Sequence, residues 1–173
     1  NFLSHTRPDI AFATQHLSQF LSSPREPHLN AAKHVLRYLA KDPAQGILLN
    51  DHPNLTLQAF CDADWAACPQ SRRSVSGYIV FLGGSLISWK SKKQQVVSLS
   101  SAEAEYRSVR RLIAELSWLT RLLHELQVED IIPVPEYGLS RSKMFGPLLS
   151  IGSFNINTSF YFIVRLTHHC KLK

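Results

Sequence analysis

Apolar residues recur at helical spacing through the first fifty residues. A first helix is predicted to begin at Arg7-Pro8-Asp9, because proline is tolerated in the first turn, where its missing N–H is not needed. Its apolar positions repeat every three or four residues: Ile10, Ala13, Leu17 and Phe20. Ser22-Ser23-Pro24 should end this helix, and a second helix is predicted from about His28 to Ala40. Residues 1–50 are therefore interpreted as a small helical segment.

The pattern changes to strand alternation near Leu55. Leu55, Leu57, Ala59 and Cys61 alternate with residues of the opposite face, which is the period of two expected for a β-strand. A second strand is predicted over Val75–Leu82 and is closed by Gly83-Gly84, a pair typical of a hairpin turn. A third strand starts at Leu86 to Trp89, with Val96 and Val97 as its continuation or as a neighbouring strand.

A long amphipathic helix follows the strands. Ser100 or Ser101 can cap it, and Glu103 and Glu105 suit the positive end of the helix dipole. Its apolar stripe repeats at helical spacing: Tyr106, Val109, Ile113, Leu116 and Leu123. Residues 51–129 are therefore predicted to form a mixed α/β core. Residues 130–173 contain scattered prolines and glycines and receive no structural assignment, apart from an apolar run at Phe160–Leu166 that is compatible with a strand.

Composition narrows the function classes only modestly. The chain has 173 residues with 45% hydrophobic and 18% charged positions, which is ordinary for a globular domain with some appended structure. A net charge of +6 favours a polyanionic partner such as nucleic acid. The three cysteines form neither a disulfide framework nor a zinc-ligand pattern. No apolar run reaches the roughly 20 residues that cross a bilayer, so we expect no membrane contact. The sequence opens with Asn1, and its first residues lack the basic and apolar regions of a signal peptide, so we expect an intracellular piece of a larger polyprotein.

The motifs with chemical content lie between Cys61 and Tyr106. They read Cys-Asp-Ala-Asp-Trp-Ala from Cys61, Arg-Arg-Ser-Val-Ser-Gly-Tyr from Arg72, and Ser-Leu-Ser-Ser-Ala-Glu-Ala-Glu-Tyr from Ser98. With Thr-Arg-Pro-Asp-Ile from Thr6, this order resembles the ribonuclease H domain of copia-type (Pseudoviridae) retrotransposon Pol polyproteins and the segment that joins it to the reverse transcriptase. The resemblance covers residues 1–129. It implies an α/β fold, a ribonuclease H-like mixed sheet with flanking helices, preceded by the small helical segment.

The resemblance also implies a catalytic chemistry. Members of the family cut the RNA strand of RNA–DNA hybrids with Mg²⁺ or Mn²⁺, and here Asp62 matches the metal-binding Asp of the first strand and Glu105 the Glu of the helix. Hard Mg²⁺ prefers carboxylate oxygens, and a two-metal site needs several of them to converge. Glu103 lies about 200° around the helix from Glu105, so we expect it to be a solvent or cap residue. Asp64 would share the face of Asp62 if the strand persisted that far, and it is a candidate either for an auxiliary ligand or for a residue that contacts the ligands. An isolated Asp-x-Asp is more often a solvated turn, but the ordered motifs around it favour the catalytic interpretation.

The resemblance stops after residue 129. The family has a third metal-binding carboxylate at the end of a strand shortly after this helix, but no Asp follows Asp130, and Glu136 is the only later acidic residue. We therefore expect an incomplete fold whose sheet lacks its parallel strands. Two functional hypotheses stay open: a metal-dependent ribonuclease H, and a catalytically dead remnant with at most weak nucleic-acid binding.

Basic residues flank the predicted catalytic site. These residues are Arg72, Arg73, Lys90, Lys92 and Lys93. They are candidates for phosphate contacts with an RNA–DNA hybrid, because Lys and Arg give affinity that does not depend on base sequence. The alternative is an ordinary solvated basic surface. The reverse transcriptase body of the same polyprotein is a second possible partner, through the N-terminal helices.

Overall fold

The computed structural model describes residues 2–51, 55–128 and 137–138. Their contacts divide the described chain into a helical unit that ends at Ile47 and a sheet unit that begins at Leu48. Two short 3₁₀ turns, Phe2–His5 and Pro8–Ile10, open the helical unit, and Pro8 takes the predicted first-turn position. The first helix, α1, spans Ala11–Ser18, and the second, α2, spans Glu26–Lys41. Helix α1 is shorter than predicted. The Ser18 hydroxyl at its end donates to the Gln15 carbonyl at 2.8 Å, a local bond of the kind that competes with further helix.

A buried ion-pair network organises the helical unit. Arg7 is 4% exposed, and its guanidinium donates to both carboxylate oxygens of Asp9, with a shortest distance of 2.8 Å. The same group donates to the Asp42 carbonyl at 3.1 Å and to Gln45 Oε1 at 2.9 Å, beyond the end of α2. Tyr38 on α2 donates its hydroxyl to Asp9 at 2.8 Å. The Arg-Pro-Asp part of the first motif therefore has a structural role, because Arg7 and Asp9 connect the turn at Pro8 to Tyr38 and to the residues after α2.

The described part of the sheet unit is a mixed α/β structure built on a four-stranded sheet. Strands β1 (Leu57–Asp64), β2 (Val75–Leu82) and β3 (Ser85–Lys93) are antiparallel neighbours in sequence order. Helix α3, Ser101–Glu125, then crosses over the sheet, and the two-residue β4, Tyr137–Gly138, pairs in parallel with β1. This architecture confirms the predicted fold class, a partial ribonuclease H-like α/β sheet with flanking helices. The expectation of a sheet without a parallel strand was wrong at β4, because the crossover through α3 returns the chain beside β1 in the same direction.

The core lies between α3 and one face of the sheet. It consists of every second residue of β1 and β2 together with one stripe of the helix: Leu57, Ala59, Cys61, Tyr78, Val80, Leu112, Leu116 and Leu119. Phe60 and Phe81 make an edge-to-face contact on the opposite face of the sheet, with ring centroids 6.2 Å apart. Strand β2 has the predicted bounds, and Gly83 and Gly84 adopt the positive φ angles, 56° and 77°, that a hairpin turn demands.

Val96 and Val97 do not extend the sheet. The ladder between β2 and β3 ends at the pair Val75–Lys93, because β2 has no residue left to pair with the chain that follows Lys93. Both valines lie exposed in the loop before α3. The predicted strand at Phe160–Leu166 lies outside the described residues.

Candidate active site

The first carboxylate predicted for catalysis, Asp62, lies near the end of β1. On one side of this strand, β2 remains paired through Asp64 and Val75. On the other side, the ladder to β4 reaches Cys61 and Gly138 in the part of the chain that the structure describes. Asp62 is therefore the first residue of β1 beyond that parallel ladder. Asp62 lies near the carboxyl end of β1, and ligands of α/β sheets commonly bind near the carboxyl ends of strands.

Strand alternation separates Asp62 from the core. Cys61 belongs to the core against α3, so its successor Asp62 lies on the opposite face of β1. Because β1 continues through Asp64, that residue shares the face with Asp62, as predicted for a strand that persists this far. Both side chains are half-buried, and one oxygen of Asp62 accepts a hydrogen bond from the Ala63 backbone at 2.8 Å. The end of β1 thus offers two carboxylates on one face.

Helix α3 is attached to this strand end through a serine. Ser108 is 1% exposed and donates its hydroxyl to the Asp62 carbonyl at 2.7 Å, with a longer contact of 3.3 Å to the Gly77 carbonyl. Glu105 lies one turn earlier on the helix and is half-buried. Residues three apart on a helix have Cβ atoms about 5–6 Å apart, so Glu105 lies at the same end of the helix–strand contact as Asp62. The side chains of Asp62 and Asp64 lie on the sheet face away from α3, whereas Glu105 lies on α3 near the same end of β1. Asp62, Asp64 and Glu105 are called the carboxylate corner below.

Glu103 has a different role from Glu105. Its carboxylate accepts from the Leu99 backbone at 2.7 Å and pairs with Arg107 at 2.7 Å. The Ser100 hydroxyl accepts from the Glu103 backbone at 3.1 Å, which makes Ser100 the N-cap. These hydrogen bonds hold the pKa of Glu103 below its usual value. Glu103 thus takes part in the helix cap through Leu99 and Ser100, which agrees with the expectation that it is a solvent or cap residue.

The described carboxylates are oxygen donors of the type that a divalent ion prefers. Mg²⁺ commonly binds proteins through one or two carboxylates and fills its remaining positions with water and substrate phosphate oxygens. Asp62 and Glu105 are hard oxygen donors of this kind. Within the described ranges, no group of three or more His, Cys, Asp and Glu side chains is arranged to hold a metal ion. The two-metal arrangement of the family needs more carboxylates than this corner supplies.

The basic residues surround the same end of the sheet, on both of its faces. Arg72 and Arg73 are exposed on the turn between β1 and β2, and Arg72 has a φ of 53°. Lys93 pairs with Val75, which in turn pairs with Asp64 on the other side of β2; this set of cross-strand partners is called the register row Asp64–Val75–Lys93. Lys93 therefore lies on the face of Asp62 and Asp64, about 10 Å from Asp64 at the usual strand spacing. Alternation places Lys90 and Lys92 on the other face, beside α3, where Arg111 donates to the Lys92 carbonyl at 3.1 Å. The five residues therefore do not form a single strip.

Lys93 also contacts a cysteine that no sequence motif singled out. Cys68 lies buried in the turn after β1. Burial raises the pKa of the Cys68 thiol, but its interaction with Lys93 opposes this and contributes to a final pKa of about 7. A thiol of this kind is partly ionised at neutral pH. The Lys93 ammonium group therefore interacts with the Cys68 thiol as well as with solvent.

Two further residues of this region escaped the sequence interpretation. Ser108 occupies a core-facing position of α3 between Ala104 and Leu112, and a polar residue inside an apolar stripe was the signal that it contacts buried backbone. Gln94 is 2% exposed and lies just after β3. No pattern in the sequence predicted its burial, because the residues around it are polar or exposed.

No helix in the described part of the chain has the length and apolar character needed to cross a membrane.

Comparison with known proteins identifies close relatives. The chain is 50% identical over 127 residues to the retrovirus-related Pol polyprotein from transposon RE1 of Arabidopsis thaliana, a match that covers 73% of this chain and 9% of the relative. It is 40% identical over 121 residues to the Pol polyprotein from transposon TNT 1-94 of Nicotiana tabacum, covering 70% of this chain and 9% of that protein. The secreted RxLR effector protein 161 of Plasmopara viticola is 46% identical over 115 residues, or 66% of this chain and 81% of the effector.

These matches are to small parts of the polyproteins. The chain spans about a tenth of the length of the RE1 and TNT 1-94 polyproteins, 9% in each case. No family model matches the sequence. No solved structure matches it either.

Proposed function

We propose that this chain, which belongs to the Pol polyproteins of copia-type retrotransposons, acts as a ribonuclease H-like unit that binds RNA–DNA hybrids and one divalent metal ion without efficient cleavage. The metal is Mg²⁺ or Mn²⁺, with Asp62 and Glu105 as its protein ligands. The nucleic acid is held through phosphate contacts from Arg72, Arg73, Lys90, Lys92 and Lys93.

The observation that carries this proposal is the register row Asp64–Val75–Lys93. It places a carboxylate and a lysine on one face at the same end of the sheet. The turn that carries Arg72 and Arg73 joins β1 to β2 at this end, and the exposed guanidinium groups are free to approach a duplex from solvent. Phosphate contacts of this kind orient a duplex without reading its bases, so they suit a protein that must act on any sequence. A duplex bound there would bring its backbone to Asp62.

Cleavage is expected to be weak because of the charge balance at the carboxylate corner. In a two-metal site, one ion activates the attacking water and both stabilise the charge that develops on the phosphate. Asp62 and Glu105 together neutralise a single divalent ion. A second ion would add two positive charges with no described carboxylate set to hold it. This chain should therefore bind the RNA–DNA hybrid without cleaving it efficiently.

One observation favours a second candidate, a functional hydrolase. Asp64 shares the face of Asp62, and successive residues on one face of a strand lie about 7 Å apart. Asp64 could then serve as the third carboxylate in place of the one missing after α3. This hypothesis requires hydrolysis that depends on Asp64 as strongly as on Asp62. In the proposed function, by contrast, Asp64→Asn changes metal affinity only slightly.

Hybrid binding tests the proposal. The double variant Arg72→Ala/Arg73→Ala removes two exposed charges beside the carboxylate corner, and Arg37→Ala/Lys41→Ala removes two exposed charges from α2 as a matched control. Fluorescence anisotropy with a labelled hybrid gives the dissociation constant over a range of salt concentrations. Each lost phosphate contact should lower the slope of log affinity against log salt by about one. We expect a smaller slope for the first variant alone. Equal slopes in the wild type and both variants would refute the assigned contacts.

A further inference from the structure

The loop between β3 and α3 contains a buried glutamine to which the proposed function assigns no part. The backbone N–H of Gln94 donates to the Ser74 carbonyl at 2.8 Å. Its side-chain nitrogen donates to the Ser76 hydroxyl and to the Ala104 carbonyl, each at 2.9 Å. Its side-chain oxygen accepts from the Ser98 hydroxyl at 2.8 Å. Both N–H groups and the carbonyl of the Gln94 amide are therefore hydrogen-bonded in an interior where an unmade bond would be costly.

The bond to Ala104 matters because of its place on the helix. Ala104 is fully buried, and its carbonyl belongs to the same planar peptide unit as the backbone nitrogen of Glu105. Gln94 therefore fixes the peptide plane from which the Glu105 side chain starts. One turn later, Ser108 fixes the helix to the Asp62 carbonyl at 2.7 Å. Glu105 lies between these two anchors.

The same hydrogen-bond chain reaches the end of β1. Trp65 directly follows Asp64, and its indole N–H donates to the Ser98 carbonyl at 2.9 Å. Ser98 in turn donates to Gln94, and Gln94 donates to Ala104. The sequence of bonds Trp65–Ser98–Gln94–Ala104 thus connects the strand that carries Asp62 to the first turns of the helix that carries Glu105.

We propose that Gln94 is a positioning residue for the carboxylate corner. It holds the first turns of α3 at a fixed distance from the end of β1, so that Glu105 and Asp62 can bind the same divalent ion. This inference rests on the proposed function, since it concerns the geometry of that metal site. Residues that orient metal ligands commonly change metal affinity by 10- to 100-fold when they are replaced. A glutamine that served only general stability would affect folding without a selective effect at Glu105.

Two substitutions separate positioning from stability. Gln94→Met retains the length of the side chain but removes every donor and acceptor of the amide. Ser76→Ala is the matched control, because it removes a different bond of the same glutamine and leaves the bond to Ala104 intact. Hydrogen–deuterium exchange measures the opening of the backbone at residues 105–108. Titration with Mn²⁺, followed by electron paramagnetic resonance, measures metal affinity without any need for cleavage.

We expect Gln94→Met to weaken Mn²⁺ binding about tenfold and to speed amide exchange at residues 105–108. Ser76→Ala should leave both quantities near their wild-type values. Equal exchange in the two variants would overturn the inference. If Glu105→Gln leaves Mn²⁺ binding unchanged, the metal assignment in the proposed function fails, while the exchange measurement still decides the role of Gln94.

A third variant covers the case in which Gln94→Met does not fold. Trp65→Phe removes only the hydrogen bond from the Trp65 indole to the Ser98 carbonyl. Trp65 is 49% exposed, so the fold should tolerate the change. Faster exchange at residues 105–108 together with weaker Mn²⁺ binding would support the inference. Unchanged exchange and unchanged affinity in Trp65→Phe would overturn it.

Discussion

Replacing Ser108 with alanine tests whether a single hydroxyl attaches α3 to the end of β1. The hydroxyl is buried and donates to the Asp62 carbonyl at 2.7 Å. A net contribution of about 0.5–1.5 kcal/mol is usual for one such bond, and a buried group left without its partner costs about 1–3 kcal/mol. Ser108→Ala should therefore reduce the free energy of unfolding of the sheet unit by about 1–2 kcal/mol.

Helix propensity must be separated from this effect, because alanine favours a helix over serine by about 0.5 kcal/mol. Ser117→Ala provides the correction. Ser117 is exposed on the same helix, and its hydroxyl donates to the Ile113 carbonyl, an ordinary bond within α3, at 2.8 Å. Both variants gain the same propensity, so the difference between them isolates the contact with β1.

Urea unfolding followed by circular dichroism gives this difference directly. For a domain of this size, 1 kcal/mol corresponds to about 4–8 °C in Tm, so thermal unfolding should show the same order of the two variants. Ser108→Ala is expected to be the less stable protein by both methods. Two variants that unfold within about 0.3 kcal/mol of each other would refute the assigned role of Ser108, since that difference is within ordinary surface variation.

Two further predictions concern titrating groups. Burial alone would raise the pKa of Asp9, but hydrogen bonds from Arg7 and Tyr38 outweigh it and leave that pKa below its usual value of 3.8. The stabilisation by Asp9 is thus present above pH 3.8 and is lost as the pH falls through the lower pKa of the folded state. Acid unfolding of the helical unit should show this loss of stability. Asp9→Asn should remove this pH dependence and should lower the stability of the helical unit at neutral pH. For Cys68, thiolate absorbance in the ultraviolet should titrate with a midpoint near pH 7, and Lys93→Met should raise that midpoint. Lys92→Met, on the other face of β3, should leave the midpoint unchanged; equal shifts in the two lysine variants would contradict the assigned contact.

The helices and strands whose sequence pattern lies within one continuous segment could be predicted from that pattern alone. Strand β2 and its glycine turn, and the long helix α3, follow from alternation, turn residues and amphipathic spacing. Strand β4 could not be predicted, because two residues carry no periodicity and their strand conformation depends on pairing with the distant Phe60 and Cys61. Val96 and Val97 mark the opposite error. Their β-propensity is high, but a strand needs a partner, and β2 begins too late to supply one.

In the candidate site, too, some residues could be predicted from local sequence and others depend on contacts between distant segments. Asp62 and Glu105 were identified by resemblance, and the structure attaches their two elements through Ser108. The separation of Lys92 and Lys93 onto two faces follows from strand alternation, but only once β3 is known to continue to Lys93. Gln94 could not have been selected from sequence, since its partners come from β2, the following loop and α3.

The most direct test of the proposed function measures binding and cleavage on the same labelled RNA–DNA hybrid. The wild-type chain and Asp62→Asn are compared in Mg²⁺ and in Mn²⁺, with circular dichroism to establish that both are folded. Both proteins are expected to bind the hybrid in a salt-dependent manner, and the wild type is expected to cleave it no faster than Asp62→Asn. Metal-dependent cleavage by the wild type that disappears in Asp62→Asn would refute the proposed function and would establish the carboxylate corner as a working catalytic site.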